Sequence, residues 1–125
     1  MAAKKILIIE DNKDIHGILK KRLEDTGFSV DIAEGGYAAL GHLKDDKGPA
    51  AVILDLMLPE RSGMELLTSL NSRWPEAKIF IFTAHEEYRH KTHMFGECVS
   101  AFFCKTDGLD RLIDAVKSAL ADERS

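Results

Sequence analysis

The chain has 125 residues, of which 45% are hydrophobic and 30% are charged, so it is long enough to bury one core. We expect a single domain over 1–125, with an ordered part at about 4–122. Its net charge is −4 without a basic block, which argues against direct binding of nucleic acid. The longest apolar runs have strand length and the first residues lack a secretory signal, so we expect neither a membrane span nor export. Cys98 and Cys104 lack the spacing of a metal site and are expected to be reduced thiols in a cytoplasmic protein.

Apolar runs rich in β-branched residues alternate with segments of helical spacing along the whole chain. Strands separated by helices must run parallel, and right-handed crossovers place the helices on both faces of the sheet. The pattern therefore predicts an α/β protein with a flavodoxin-like three-layer (βα)5 fold and a five-stranded parallel sheet of order 2-1-3-4-5. The predicted strands are 5–9, 28–33, 51–55, 78–83 and 101–104, and the predicted helices are 14–26, 38–43, 64–74, 86–95 and 109–120.

The first predicted helix has recognisable ends. Asn12 or Asp14 is expected to cap its start, and Gly27 is expected to end it. Its apolar residues at helical spacing are Ile15, Ile18, Leu19 and Leu23.

Polar or ionisable residues follow the first, third, fourth and fifth predicted strands. Each of them alone is an ordinary turn or cap residue, but the strand order brings their positions to one crevice. Three carboxylates placed together need a proton or a cation, and an oxygen-only set without His or Cys favours Mg²⁺. An aspartate can also attack phosphorus, with a cation, an ammonium and a hydroxyl neutralising the phosphoryl oxygens. The residues at these strand ends are Glu10, Asp11, Asp55, Thr83 and Lys105.

This set resembles the response-regulator receiver domains of two-component signalling, of the chemotaxis-regulator type, and the resemblance covers essentially the whole chain. Glu10 and Asp11 are similar to the family's metal-binding pair, and Asp55 falls on its phosphoacceptor. The other matches are the loop Asp55-x-x-x-Pro59-x-x-x-Gly63, the pair Thr83-Ala84, Lys105, and Phe102 at the aromatic switch position.

The resemblance implies that a sensor histidine kinase or a phosphotransfer protein phosphorylates Asp55. Thr83 would then move toward the phosphoryl group and Phe102 would turn inward. The face formed by the fourth predicted helix, the last strand and the last helix would change its preference for an output domain or protein, or for a second copy of the chain. The domain would assist its own phosphorylation and dephosphorylation without being an enzyme in the usual sense. The implied ligands of Mg²⁺, or of Mn²⁺ in its place, are Glu10, Asp11, Asp55 and the backbone carbonyl of Met57.

Two positions depart from the family pattern. Thr106 stands where a proline usually follows the lysine, often after a cis bond, and a cis bond before a non-proline residue costs about 2.5–4 kcal/mol. We therefore expect either a trans Lys105–Thr106 bond with a re-routed loop or a strained cis bond. Cys98 replaces the usual glycine before the last strand, so the fourth helix is expected to end near Gly96 or to continue irregularly to Val99.

Met57 and His85 occupy positions that tune the lifetime of the phosphoryl group in this family. They could equally be solvent-facing loop residues without consequence; the sharper hypothesis is that Met57 shields the site from water. His90 and His93 could share a helix face, but a solvated polar helix explains them better than a metal site.

Three other functions compete with a phosphoacceptor. A flavin-nucleotide binder of the same architecture needs a phosphate-cradling loop after the first strand, where this chain is acidic. A phosphatase of the dehalogenase type, which uses an aspartate nucleophile, resembles others of its kind in carrying a second aspartate two residues after the first. Met57 stands at that position here, so the acid/base residue is missing. A receiver-like module that acts by protein contact alone, without phosphorylation, is the main alternative.

Overall fold

The computed structural model describes residues 3–45, 47–58, 63–87 and 98–121. Five parallel strands form one sheet of order β2-β1-β3-β4-β5, so the predicted flavodoxin-like fold and strand order are confirmed. The fourth predicted helix lies largely in 88–97, outside the described residues, and the fifth is named α4 here. The strands are β1 Lys5–Ile9, β2 Ser29–Ala33, β3 Ala51–Leu54, β4 Lys78–Thr83 and β5 Val99–Cys104, and the described helices are α1 Lys13–Asp25, α2 Gly36–His42, α3 Gly63–Arg73 and α4 Leu109–Ala121.

Two apolar cores lie on opposite faces of the sheet, because alternate residues of each strand point to opposite sides. Ile6 and Ile8 of β1 pack with α1 and α4, whereas Leu7 and Ile9 pack with α2 and α3. All four of these side chains are buried. The central strands are therefore fixed from both sides, and the residues that follow them are held at defined positions along one edge of the sheet.

The ends of α1 agree with the prediction, and its buried face includes a histidine. Asn12 Oδ1 accepts hydrogen bonds from the N–H groups of the first turn, and Gly27 follows the helix with a φ of +107°. Ile18, one of the apolar residues at helical spacing, is 51% exposed. The buried residues of the helix include His16, which shares a helix face with Leu19 three residues later. Its Nε2 lies 2.9 Å from Glu34 Oε2 at the end of β2.

The chain leaves β5 without a cis bond, since none of the described peptide bonds is cis. Lys105–Asp107 forms one turn of 3₁₀-helix, followed by Gly108 with a φ of +88°. Of the two predicted geometries for Lys105–Thr106, the structure therefore has the trans bond. Cys98 and Cys104 form no disulfide, and the predicted end of the fourth helix at Gly96 lies outside the described residues.

Trp74 closes the opposite, amino-terminal edge of the sheet. It follows α3 directly and is 5% exposed, and its indole Nε1 donates a hydrogen bond to the Asp45 carbonyl at 3.0 Å. Gly48 lies so close to the ring that a Cβ there would come within 2.4 Å of it. This packing joins the end of α3 to the loop before β3. None of the helices among the described residues has the length and apolar character needed to span a membrane.

Candidate functional site

The predicted site residues of four strands meet at the carboxyl edge of the sheet. The register pairs Ile9 with Leu54, so Glu10 and Asp55 follow neighbouring strands at the same level. The Asp55 N–H donates to the Ile9 carbonyl at 3.1 Å, which fixes this arrangement. Glu10, Asp55 and Thr83 are all buried, with exposures of 2%, 6% and 0%. Polar side chains so deeply buried must find partners within the protein or in a bound ligand.

Three carboxylates form an acidic cluster at this edge. Glu10, Asp11 and Asp55 each offer one oxygen, and the three oxygens lie within 4.8 Å of one another. Asn12 holds one side of the cluster, because its N–H donates to Glu10 Oε2 at 3.0 Å. Hard divalent cations prefer oxygen ligands of this kind. The donor set therefore fits such a cation.

Lys105 reaches into the acidic cluster from β5. Its Nζ lies 2.7 Å from Glu10 Oε1 and 2.9 Å from Asp55 Oδ2, and its side chain is 18% exposed. Burial lowers the pKa of Lys105, but the hydrogen bonds to Glu10 and Asp55 outweigh it and raise the pKa above its ordinary value. Burial raises the pKa of Glu10, against the opposing effects of Lys105 and of the Asn12 N–H. The ammonium and the carboxylates thus compensate each other's charge.

The loop after β3 holds the other oxygen of Asp55. The Met57 N–H donates to Asp55 Oδ1 at 3.1 Å, while Lys105 binds Oδ2. The Met57 side chain is 51% exposed beside this contact. Gly63 packs directly under the loop, since a Cβ there would lie 2.6 Å from the Asp55 carbonyl oxygen and 2.5 Å from Leu56 Cα. Only glycine fits this position, which accounts for its place in the loop motif.

Thr83 and Phe102 lie in the half of the sheet toward β5. The Thr83 hydroxyl accepts a hydrogen bond from the His85 N–H at 3.4 Å. His85 Nδ1 in turn lies 3.4 Å from Glu87 Oε2. Phe102 pairs in register with Ile81 and packs, half-buried, against the core on the α3 side. The structure therefore brings Thr83 to the edge that holds Asp55, whereas the lifetime roles of Met57 and His85 and the switch role of Phe102 stay predictions.

Comparison with known proteins decides the family. A family model described as the response regulator receiver domain matches residues 6–117. The chain belongs to the response regulator receiver domain family. The resemblance inferred from the sequence is thereby confirmed, and the chain is a receiver domain of two-component signalling.

Curated proteins and solved structures are similar to this receiver domain. Response regulator MprA of Mycolicibacterium vanbaalenii is 27% identical over 116 residues, which are 93% of this chain and 50% of that protein. The chain thus spans about half the length of the curated relatives that it matches. Response regulator TrrA of Thermotoga maritima, solved in complex with Mg(2+)-BeF, is 31% identical with a TM-score of 0.81, covering 94% of this chain and 99% of that one. A CheY-like receiver domain of Methanospirillum hungatei is 25% identical with a TM-score of 0.85, covering 98% of each chain.

Two features of the receiver domain escaped the sequence analysis. The His16–Glu34 pair is one, and nothing in the spacing of those residues indicates it. The other is a reciprocal contact between Cys104 and Asp107, in which each side chain accepts a hydrogen bond from the other's backbone N–H. The spacing Cys104-x-x-Asp107 is that of a capping box with cysteine in place of serine or threonine, so this pattern could have indicated it.

Proposed function

We propose that Asp55 is the phosphoacceptor of this receiver domain and takes its phosphoryl group from a sensor histidine kinase or a phosphotransfer protein. One observation carries the proposal: the buried Asp55 carboxylate lies with two further carboxylates and within 2.9 Å of an ammonium. A carboxylate oxygen of Asp55 bonds to phosphorus while the bond from phosphorus to the donor imidazole breaks. The donor nitrogen keeps the electron pair of that bond.

The ligands that we propose for Mg²⁺, or Mn²⁺ in its place, are Glu10, Asp11, Asp55 and the backbone carbonyl of Met57. When bound, the cation neutralises phosphoryl charge. Lys105 donates to one phosphoryl oxygen after leaving Asp55, and the Thr83 hydroxyl donates to another. Positioning and charge neutralisation account for most of the rate in phosphoryl transfer, so these residues need no further covalent role. The same residues assist removal of the phosphoryl group, and Met57 and His85 set its lifetime.

The output follows from a population shift. Thr83 moves toward the phosphoryl group and Phe102 turns inward, which changes the face formed by the fourth predicted helix, β5 and α4. That face contacts an effector domain or protein, or a second copy of the chain. An effector domain is supported by the relatives' length, since DrrB, an OmpR/PhoB homolog of Thermotoga maritima, is 26% identical and this chain covers 54% of it. The net charge of −4 supports an output that does not use this segment to bind nucleic acid. Cys98 and Cys104 form no disulfide, which supports a cytoplasmic location.

Phosphotransfer to the wild type and to Asp55→Asn tests the proposal. With a phosphohistidine donor and Mg²⁺, the wild type gains label and Asp55→Asn gains none. The matched control is Asp25→Asn, an exposed aspartate at the end of α1, which labels like the wild type. Beryllofluoride with Mg²⁺ shifts the NMR signals of Thr83 and Lys105 in the wild type and in Asp25→Asn, but not in Asp55→Asn. A wild type that neither gains label nor responds to beryllofluoride would instead indicate the phosphorylation-independent interaction module.

A further inference from the structure

The turn after β5 is built differently from a proline turn. Cys104 has extended dihedrals of φ −90° and ψ 147°, and the chain then makes one 3₁₀ turn over Lys105–Asp107. The Gly108 N–H closes the turn on the Lys105 carbonyl at 3.3 Å. With Thr106 in the turn, no pyrrolidine ring fixes its φ angle. Other contacts must therefore hold the backbone at Lys105.

Asp107 and Cys104 supply those contacts. The Cys104 N–H donates to Asp107 Oδ2 at 3.1 Å, and the Cys104 Sγ accepts from the Asp107 N–H. Cys104 is 0% exposed and Asp107 is half-buried, so water cannot fully replace these bonds. The pair spans the whole turn, with Lys105 and Thr106 between its two members.

Lys105 depends on this turn for its direction. β5 is the edge strand, and Asp55 follows β3, two strands away, which is about 10 Å across the sheet. Glu10 follows β1, one strand farther. The ammonium meets both carboxylates at 2.7 and 2.9 Å only if the side chain points back over β4. The backbone direction at Lys105 therefore sets where the side chain starts, and a different direction would require another side-chain rotamer to reach both carboxylates.

We propose that Asp107 is a positioning residue, which holds the Cys104–Gly108 turn so that the Lys105 ammonium stays at the phosphoacceptor. The proposal rests on the proposed function of Asp55. It assigns to the Asp107 carboxylate and the Cys104 backbone the role that a rigid turn residue would otherwise have. In this role Asp107 acts through the position of Lys105 and not by contact with the phosphoryl group or the cation.

Three substitutions separate the hydrogen bond from the charge. Asp107→Ala removes the acceptor, Asp107→Asn keeps an acceptor oxygen at the same place without charge, and Asp107→Glu keeps the charge but displaces the acceptor. Asp110→Ala is the matched control, because Asp110 is an acid of the same segment that pairs with Arg22 on the surface. If Asp107→Ala does not fold, the comparison of the Asn and Glu variants decides.

The first measurement is the NMR signal of the Lys105 ε-carbon and ammonium in the protein without metal, which requires no phosphorylation. We expect this signal to move toward that of a solvent-exposed lysine in the Ala and Glu variants and to stay unchanged in the Asn and Asp110→Ala variants. A Lys105 signal unchanged in folded Asp107→Ala and Asp107→Glu would overturn the proposal, whatever the function of Asp55.

The second measurement is the affinity for beryllofluoride in the presence of Mg²⁺, beside that for Mg²⁺ alone. We expect the Ala and Glu variants to bind beryllofluoride about tenfold more weakly, the loss of one hydrogen bond to a charged group, and to bind Mg²⁺ at least as well as the wild type. A turn cap with only a structural role would lower the melting temperature and leave beryllofluoride binding unchanged, which would refute positioning. If the wild type itself binds no beryllofluoride, the proposed function fails, and the Lys105 signal still tests the turn.

Discussion

Replacing Lys105 with methionine should have opposite effects on the metal-free protein and on its affinity for Mg²⁺. The substitution removes the ammonium that lies 2.7 Å from Glu10 and 2.9 Å from Asp55 but keeps an unbranched side chain. Neither carboxylate has much access to water, at 2% and 6% exposure. Without Lys105 their charges are left uncompensated, and a cation that binds them no longer has to displace an ammonium.

The structure sets the size of both effects. Removing one partner of a buried ion pair costs about 3–5 kcal/mol. Because the Lys105 side chain keeps 18% exposure, we expect a loss of about 2–3 kcal/mol in the free energy of unfolding without metal. A hydrogen bond to a charged group contributes about 1.5–3 kcal/mol. In Lys105→Met, Mg²⁺ no longer has to break such a bond between the ammonium and a carboxylate, so the variant should bind Mg²⁺ roughly 10- to 100-fold more tightly than the wild type.

Thermal and denaturant unfolding at increasing Mg²⁺ concentration measures both effects together. A ligand bound only by the folded state raises the free energy of unfolding by RT ln(1 + [L]/Kd), so the variant should start lower and gain more from Mg²⁺ than the wild type. Lys20→Met is the matched control, since it removes an exposed pair with Glu24 on α1 and should change the stability by less than about 0.5 kcal/mol. A Lys105→Met protein that binds Mg²⁺ no tighter than the wild type would refute competition between the ammonium and the cation.

Three further predictions concern the loop, the lifetime and the pH dependence. Gly63→Ala should lower the free energy of unfolding by about 1–3 kcal/mol, because the added Cβ would meet the backbone of residues 55 and 56. Gly17→Ala, in the open interior of α1, should instead raise it by about 0.5–1 kcal/mol. Equal effects of the two variants in denaturant titrations would contradict the close approach at Gly63. If Met57 shields the site from water, Met57→Asn should shorten the lifetime of the phosphoryl group roughly tenfold, which corresponds to about 1.4 kcal/mol in the activation free energy of hydrolysis, while Met57→Leu should leave the lifetime unchanged. Loss of phosphoryl label from Met57→Asn at the wild-type rate would exclude shielding. Because the pKa of Lys105 is raised in the folded protein, its protonation stabilises the fold at pH values below the ordinary pKa of 10.5. This stabilisation is lost as the pH rises through the higher pKa of the folded state. Stability measured from pH 8 to 12 should therefore fall more in the wild type than in Lys105→Met, and parallel curves would contradict the shift.

The carboxylate cluster was predictable because the residues that follow parallel strands all lie at the same edge of the sheet. Apolar runs located β1 and β3, and the 2-1-3-4-5 order made Glu10 and Asp55 neighbours before any geometry was known. The ion pairs of Lys105 follow from the same placement, since an ammonium at that edge has carboxylates within reach. Topology and charge together thus determine most of the site.

The rotation of α1 was not predictable from its apolar residues. Ile18 and Leu19 are adjacent, so a helix can bury Leu19 and still leave Ile18 beside the buried stripe. The contact between His16 and Glu34 is possible because the end of β2 offers a carboxylate there. The turn at Lys105 shows the same limit: the sequence left a trans and a cis bond open, and hydrogen bonds between side chain and backbone accompany the trans form.

Trp74, the one tryptophan of the chain, provides a fluorescence signal for the unfolding measurements. Its indole is enclosed by the loop at Gly48 and bonded to Asp45, at the edge of the sheet opposite Asp55. Its fluorescence should change when the fold opens and stay nearly constant when ligands bind at the carboxyl edge. The protein therefore carries an intrinsic optical probe of unfolding that leaves the chemistry of the phosphoacceptor to be followed separately.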